Sequence, residues 1–303
     1  MPIYAVIDVG TNSVKLNISE RTQDGVWKTL TDRAEITRLG EDLEKAGAIS
    51  DAAMQRTALA ICNMATEATK AGALKIAAVG TMGLRTASNS QQFLGAVKSR
   101  CGIAIEVIPG EEESRLAYLA VKSGLGLAEG TLAIFDTGGG STQFTFGRGS
   151  SVEERFSLNV GAVKYTEEYG LAGIVSPEQL QLALSAISTD LARIDHRSSP
   201  DVLVGMGGAI TNMAAVKHNL AKYDPDVVQG SVIESQEVDR QIGLYRSRTT
   251  DDRRKVVGLQ PKRADVILAG ACIVHTVLKK LAKDRLKVSD RGLRHGVLID
   301  RFS

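Results

Sequence analysis

The sequence contains the stretch Ile7-Asp8-Val9-Gly10-Thr11-Asn12-Ser13 near its start and a matching stretch, Phe135-Asp136-Thr137-Gly138-Gly139-Gly140-Ser141, near its middle. Both read apolar-Asp-x-Gly-x-x-Ser, and both lie between two strand-like runs, so each predicts the tight turn of a β-hairpin. Glycines in such a turn let backbone N–H groups approach an anion closely, and the serine adds a hydroxyl donor. The repeat therefore predicts two related domains that together bind one phosphorylated ligand.

An aspartate opens each of the two turns, Asp8 in the first and Asp136 in the second. A carboxylate repels a phosphate, so its place beside an anion site indicates a divalent cation between the two groups. The alternative is that each aspartate only caps the amides of its own turn. Two equivalent turns favour the cation, with both carboxylates orienting Mg²⁺ mainly through water molecules.

The composition is that of a soluble globular protein: 303 residues, 43% hydrophobic and 24% charged, enough for two domains. Aromatic residues make up only 4%, which argues against base stacking and predicts no nucleic-acid partner. There is no signal-peptide pattern and no apolar run of about 18 residues, so we expect no membrane contact. The three cysteines are odd in number and widely spaced, which predicts buried free thiols and a cytoplasmic location.

Basic residues are concentrated between Arg253 and Arg294, although the net charge of the chain is only +2. Such a zone can guide a polyanion towards a site. The alternative is that its lysines form the solvent face of an amphipathic helix whose apolar face carries Leu278, Leu281 and Leu286.

Three strands open each half of the chain, and helices alternating with strands follow. The opening strands are predicted at 3–9, 14–20 and 25–37, and again at 131–135, 142–147 and 152–158. Ser50 and Ser176 are predicted N-caps of long helices, and a further helix is predicted over 263–284. The pattern indicates an α/β protein with mixed sheets and a domain boundary near residue 120.

Further residues have the chemistry that a phosphate site needs. Gly207 and Gly208 precede a predicted helix, whose N-terminus favours an anion. Arg85 and Lys164 lie at loop–helix junctions, where each either neutralises phosphate oxygens or is ordinary surface charge. The run Glu111-Glu112-Glu113 exceeds what capping of one helix requires, so it contains a candidate general base, which composition alone does not identify.

Four segments together resemble the exopolyphosphatase and guanosine pentaphosphate phosphohydrolase family in its short form. They are Ile7 to Ser13, Gly110-Glu111-Glu112-Glu113-Ser114-Arg115-Leu116, Asp136 to Thr142 and Val288-Ser289-Asp290-Arg291-Gly292-Leu293-Arg294. The resemblance implies the fold of the actin-like ATPase and sugar-kinase superfamily: two ribonuclease-H-like domains with mixed sheets flanked by helices around a central cleft. The domains would be 1–120, with 289–303 packed back on it, and 121–288.

The resemblance also implies roles for individual residues. Glu113 matches the catalytic base, Arg85 matches a phosphate-contacting arginine, and Asp8 and Asp136 match the acids near the metal. Gln143 stands where the family usually has a catalytic glutamate, and His295 stands where glutamate is common. The implied phosphate-binding residues are Gly10, Thr11, Asn12, Ser13, Gly138, Gly139, Gly140, Ser141, Thr142, Gly207, Gly208 and Lys164.

The implied activity is that of a Mg²⁺- or Mn²⁺-dependent hydrolase that removes terminal orthophosphate from inorganic polyphosphate. Guanosine pentaphosphate is a second candidate substrate, and a homodimer is plausible by analogy. One alternative is a polyphosphate-binding sensor, because Gln143 cannot ionise and is a poorer Mg²⁺ ligand than glutamate. The other is a small-molecule kinase of the same superfamily.

Overall fold

The structure is a computed structural model that describes residues 1–11, 13–41, 43–127 and 129–303, without the side chains of residues 44 and 45. The described chain forms two compact units. The N-terminal unit comprises Met1–Ala120 and Gly292–Ser303, and the C-terminal unit comprises Val121–Arg291. Among the helices of these ranges, none combines the length and the apolar composition that a bilayer span requires.

The strands divide between the two units in chain order. They are β1 (Ile3–Val9), β2 (Ser13–Arg21), β3 (Trp27–Ile36), β4 (Ala73–Gly80), β5 (Ile105–Val107), β6 (Thr131–Thr137), β7 (Thr142–Arg148), β8 (Ser151–Leu158), β9 (Val202–Met206), β10 (Val232–Glu234) and β11 (Arg285–Val288).

The helices connect these strands and cover the sheets. They are α1 (Leu43–Ala46), α2 (Asp51–Lys70), α3 (Met82–Thr86), α4 (Ser90–Cys101), α5 (Gly110–Gly124), α6 (Ala162–Glu168), α7 (Pro177–Asp190), α8 (Gly208–Lys217), α9 (Pro225–Val228), α10 (Ser235–Arg246), α11 (Thr250–Arg253), α12 (Ile267–Lys280) and α13 (Leu293–Phe302).

The sheet of the N-terminal unit has the order β3-β2-β1-β4-β5. β1, β2 and β3 form an antiparallel meander, whereas β4 and β5 run parallel to β1. Successive side chains of a strand point to opposite faces. Accordingly, Ile7 of β1 packs into the cluster formed with α2 and α4, whereas Val6 packs with Leu116 of α5 and Val297 of α13 on the other face.

The sheet of the C-terminal unit repeats this arrangement as β8-β7-β6-β9-β11, with β11 parallel to β9 as β5 is to β4, and adds β10 at its edge. β6, β7 and β8 are antiparallel neighbours, and β9 runs parallel to β6. One large cluster of buried side chains joins this sheet to its helices, including almost the whole of α12. The prediction of an α/β fold with two mixed sheets flanked by helices is therefore confirmed.

The predicted helix starts are confirmed at both capping serines. The hydroxyl of Ser50 accepts a hydrogen bond from the backbone N–H of Ala53, and that of Ser176 accepts one from Gln179. The helix predicted over 263–284 is wrong at both ends, because α12 covers only Ile267–Lys280. The chain turns at Ala282, whose φ of +49° is incompatible with a continuing helix, so Leu286 enters the sheet instead of a helix face.

The basic zone predicted from Arg253 to Arg294 is not a continuous positive surface. Arg253 is fully buried, and its guanidinium donates hydrogen bonds to the backbone carbonyls of Tyr245, Leu171, Gly173 and Ala264. Other cations of the zone pair with acids, namely Arg254 with Asp251, Lys255 with Asp252, Lys280 with Asp195, Arg285 with Asp284 and Arg294 with Asp32. Many of these cations are therefore engaged by hydrogen bonds and ion pairs within the protein, which a count of basic residues in the sequence does not reveal.

Candidate active site

The two glycine turns are closed by the same backbone hydrogen bond. In the first turn (Gly10–Ser13) the N–H of Gly10 donates to the carbonyl of Ser13 at 3.0 Å, and in the second turn (Gly138–Ser141) Gly138 donates to Ser141 at 2.8 Å. Each closes a hairpin between the first two strands of its sheet, as the repeat predicts. Asn12 of the first turn lies outside the described residues.

A second glycine packs against each turn from the chain that follows the third strand. Gly40 donates its N–H to the carbonyl of Thr11 at 2.8 Å. In the other half, a methyl group at Gly161 would lie 2.1 Å from the carbonyl oxygen of Gly139, so only glycine fits there. The sequence interpretation missed both contacts. The sequence signal that could have predicted them is a glycine shortly after the third strand in each half of the chain.

A third glycine approaches each turn from the end of the parallel strand next to it. Gly83 follows β4, and a methyl group there would lie 3.1 Å from Oγ1 of Thr11. Gly207 follows β9 with φ +93°, and a methyl group there would lie 2.5 Å from Oδ1 of Asp136. The predicted Gly207–Gly208 turn thus lies beside the second glycine turn, and α8 begins at Gly208.

Arg85 and Glu113 lie together at the same edge of the N-terminal sheet as the first glycine turn. Arg85 is on α3 after β4, and Glu113 is in the first turn of α5 after β5. Nη1 of Arg85 lies 3.0 Å from Oε2 of Glu113, and it also donates to the carbonyl of Ile108 at 2.7 Å. Because β1, β4 and β5 are parallel neighbours, their carboxyl ends bring these residues close to one another, as is typical of α/β ligand sites.

The three consecutive glutamates have different surroundings. Glu111 is exposed. Glu112 forms a bidentate pair with Arg115 at 2.8 Å, and that pair lowers the pKa of Glu112. Glu113 alone of the three is paired with Arg85. Geometry therefore separates the candidates that composition left open, because only Glu113 pairs with Arg85 at this edge of the sheet.

The two turn aspartates occupy equivalent positions in their own units, each one residue before the end of its strand. Asp8 is 4% exposed, and Nζ of Lys15 lies 3.8 Å from its carboxylate. No group of three or more His, Cys, Asp or Glu side chains forms a metal cage within the described ranges. Mg²⁺ commonly binds one or two carboxylates together with waters and substrate phosphates, so the single carboxylate that each turn carries is a ligand of the kind that ion takes.

Gln143 lies opposite Asp136 in the β6–β7 pair, at the position that Lys15 occupies opposite Asp8 in the β1–β2 pair. Its side-chain amide donates to the hydroxyl of Ser141 at 2.7 Å. The neighbouring Thr142 is fully buried, and its hydroxyl donates to the carbonyl of Val160. The hydroxyl proton of Thr142, a predicted phosphate-binding residue, is therefore used inside the fold.

Two further cations lie in the C-terminal unit, Lys164 beside the second glycine turn and Arg263 beside Gly208. Lys164 is paired with Asp190 at 3.0 Å, and it lines a shallow depression of about 720 Å³ together with Gly139 and Gly140. Arg263 is exposed, and its guanidinium covers Gly208, where an added methyl group would lie 2.6 Å from Nη2. The sequence interpretation gave Arg263 no role, because it comes far later in the chain than Gly208.

Two mixed sheets of matching order, each opening with a glycine hairpin that carries an aspartate, define the actin-like ATPase class of fold. The family model of the Ppx/GppA phosphatase family matches residues 18–303. The chain belongs to this family and is a hydrolase of phosphate bonds.

Individual relatives agree with this assignment. Exopolyphosphatase 2 of Mycobacterium tuberculosis is 28% identical over 322 residues, which cover 97% of each chain. The bifunctional 3-dehydroquinate synthase/phosphatase of Fusobacterium nucleatum is 28% identical, but this chain spans only 46% of its length. The crystal structure of the type II variant of the Aquifex aeolicus Ppx/GppA phosphatase has 33% identity and a TM-score of 0.91, with 100% of both chains covered.

Proposed function

We propose that this protein hydrolyses the terminal phosphoanhydride bond of inorganic polyphosphate and releases orthophosphate. The observation that carries the proposal is the Arg85–Glu113 pair at 3.0 Å, beside a glycine turn whose amides suit a phosphate. It joins a carboxylate able to accept a proton to a cation able to bind phosphate oxygens. The similarity to an exopolyphosphatase along nearly the whole chain supports the choice of substrate.

The proposed reaction is a direct in-line attack by water. Glu113 accepts a proton while the water oxygen forms a bond to the terminal phosphorus atom. The bond from phosphorus to the bridging oxygen breaks, and its electron pair remains on the shortened chain. Arg85 exchanges its contact with Glu113 for a phosphate oxygen, which frees the carboxylate and stabilises the developing charge.

The backbone N–H groups of both glycine turns, with Ser13 and Ser141, bind phosphate oxygens of the substrate in this proposal. Arg263 and Lys164 add positive charge at the second turn, and Lys164 must leave Asp190 to do so. Asp8 and Asp136 would hold Mg²⁺ or Mn²⁺ through water. When bound, the ion neutralises phosphate charge.

Cellular setting and assembly are part of the same proposal. The three cysteines are free thiols, which suits the reducing cytoplasm, and polyphosphate is a soluble polyanion. A homodimer is proposed by analogy with the family, and light scattering at several protein concentrations tests it. We assign no nucleic-acid or membrane partner.

The experiment is a substrate panel with orthophosphate as the readout. Polyphosphates of several lengths, guanosine pentaphosphate and ATP with a sugar acceptor are compared, each with Mg²⁺ or Mn²⁺. We expect release from polyphosphate, and release from guanosine pentaphosphate would identify it as a second substrate. Tight polyphosphate binding without release would instead support the sensor, and ATP-dependent transfer to the acceptor would support the kinase.

A further inference from the structure

The side chain of Thr11, in the first glycine turn, is partly buried and lies against two glycines from different parts of the chain. A methyl group at Gly40 would lie 2.1 Å from Cγ2 of Thr11, and one at Gly83 would lie 3.1 Å from its Oγ1. The backbone adds a hydrogen bond of 2.8 Å from Gly40 to the carbonyl of Thr11. We call Gly40, Thr11 and Gly83 the Thr11 cluster.

The cluster joins three parts of the N-terminal unit that the proposed reaction uses or depends on. Thr11 belongs to the first glycine turn. Gly40 follows the fully buried Leu39 in the chain after β3, so its position is fixed by the core. Gly83 lies on α3, the short helix that also carries Arg85.

The turn that presents Gly40 is held in an uncommon conformation. Arg38 has φ +48°, a region that a residue other than glycine rarely adopts. Such backbone geometry persists only when surrounding contacts determine it. Here those contacts include the buried Leu39 and the hydrogen bond from Gly40 to Thr11.

We propose that Thr11 is a positioning residue that sets the first glycine turn in register with Arg85 through its contacts with Gly40 and Gly83. The side chain then serves the placement of the turn, which leaves backbone N–H groups to bind phosphate. A β-branched side chain suits this role because its χ1 angle is stiff. The proposal rests on the proposed function, since a small misplacement of phosphate-binding groups matters only if a phosphoryl group reacts there.

The test uses steric rescue. Gly40→Ala places a methyl group against Cγ2 of Thr11, and Thr11→Ser removes that same Cγ2 atom. The variants are Gly40→Ala, Thr11→Ser and the double variant. Gly95→Ala is the matched control, because Gly95 lies in α4 of the same unit and an added methyl group meets no atom within 4 Å.

We expect Gly40→Ala to lower kcat for phosphate release about 10- to 100-fold, while its melting temperature stays within a few degrees of the unchanged protein. Thr11→Ser should lower kcat for phosphate release about two- to threefold. The double variant should return to within about threefold of Thr11→Ser, and Gly95→Ala should keep full activity. The proposal is overturned if the loss persists in the Thr11→Ser background, or if the activity per folded molecule of Gly40→Ala is unchanged.

The outcome separates this inference from the proposed function. If the unchanged protein releases no phosphate from any substrate, the proposed function fails. The role of the Thr11 cluster is then tested by hydrogen exchange at the Gly10 amide. Faster exchange in Gly40→Ala, restored by Thr11→Ser, would support the link between Thr11 and the turn. Equal exchange in all variants would overturn it.

Discussion

The side-chain amide of Gln143 donates a hydrogen bond to the hydroxyl of Ser141 at 2.7 Å. Because the amide N–H is the donor, the hydroxyl proton of Ser141 stays available to a phosphate oxygen. A glutamate, which the family resemblance implies at this position, would instead accept that proton. The departure from the family pattern therefore changes the direction of a hydrogen bond in the second glycine turn, as well as removing a charge.

Gln143→Glu should have two separable effects. The added carboxylate should lower the Mg²⁺ concentration that gives half-maximal activity, because it is a better ligand than an amide. The reversed hydrogen bond should raise KM for polyphosphate about three- to tenfold. In a Ser141→Ala background the increase in KM should vanish while the effect on Mg²⁺ remains. If both the metal requirement and KM are unchanged, the residue at position 143 affects neither metal use nor substrate binding in this enzyme.

Glu113→Gln should reduce kcat by a factor of at least about 10² to 10⁴, because the amide cannot accept the proton of the attacking water. Polyphosphate binding should stay nearly intact. Glu111→Gln is the control, since Glu111 is the exposed neighbour in the same helical turn. Single-turnover kinetics and a binding assay on both variants give the comparison. Retention of more than about a tenth of the rate in Glu113→Gln would reject Glu113 as the base.

Removal of divalent cations with EDTA should abolish phosphate release, and Mg²⁺ or Mn²⁺ should restore it. Asp8→Asn should raise the Mg²⁺ concentration required about tenfold, since the variant loses the buried carboxylate of the first turn. A titration of activity against Mg²⁺ measures this. Glu35→Gln, an exposed carboxylate on β3, should leave the titration unchanged. Full activity in EDTA would remove the metal from the mechanism.

Arg253→Met should lower the free energy of unfolding by about 3 kcal/mol, because it leaves buried backbone carbonyls without a donor. Burial also lowers the pKa of Arg253, as expected for a charge taken out of water. Arg254→Met, one residue later and half-exposed, should change the stability by less than about 0.5 kcal/mol. Urea unfolding of both variants measures the difference, and similar values for the two would contradict the structural role of Arg253.

Cys62 should react slowly with iodoacetamide in the folded protein. Burial, together with the hydrogen bond to Cys101, raises the pKa of the Cys62 thiol to about 11, and only the thiolate reacts. Between pH 8 and 10 the rate should therefore rise about tenfold per pH unit. Mass spectrometry of the alkylated peptides follows each cysteine, and the unfolded protein is the reference. A rate at pH 8 equal to that of the unfolded chain would show that the thiol is not protected.

Local signals in the sequence determined most of the secondary structure and the glycine turns. Ser50 and Ser176 start helices because their hydroxyls satisfy amides that are near in the chain, and the hairpin hydrogen bonds at Gly10 and Gly138 are equally local. The family resemblance then singled out Glu113 among the three consecutive glutamates as the candidate base. Such features depend on neighbouring residues or on a repeated motif, and so they are visible in the order of amino acids.

Only the tertiary structure decided which distant residues meet. The parallel order of β1, β4 and β5 brings Arg85 to Glu113, and the packing of the chain after β3 brings Gly40 to Thr11. It also buries Arg253, which the sequence assigned to a basic surface. The physical reason is that a side chain's partners and its exposure depend on contacts between segments far apart in the chain, and residue spacing does not encode those contacts.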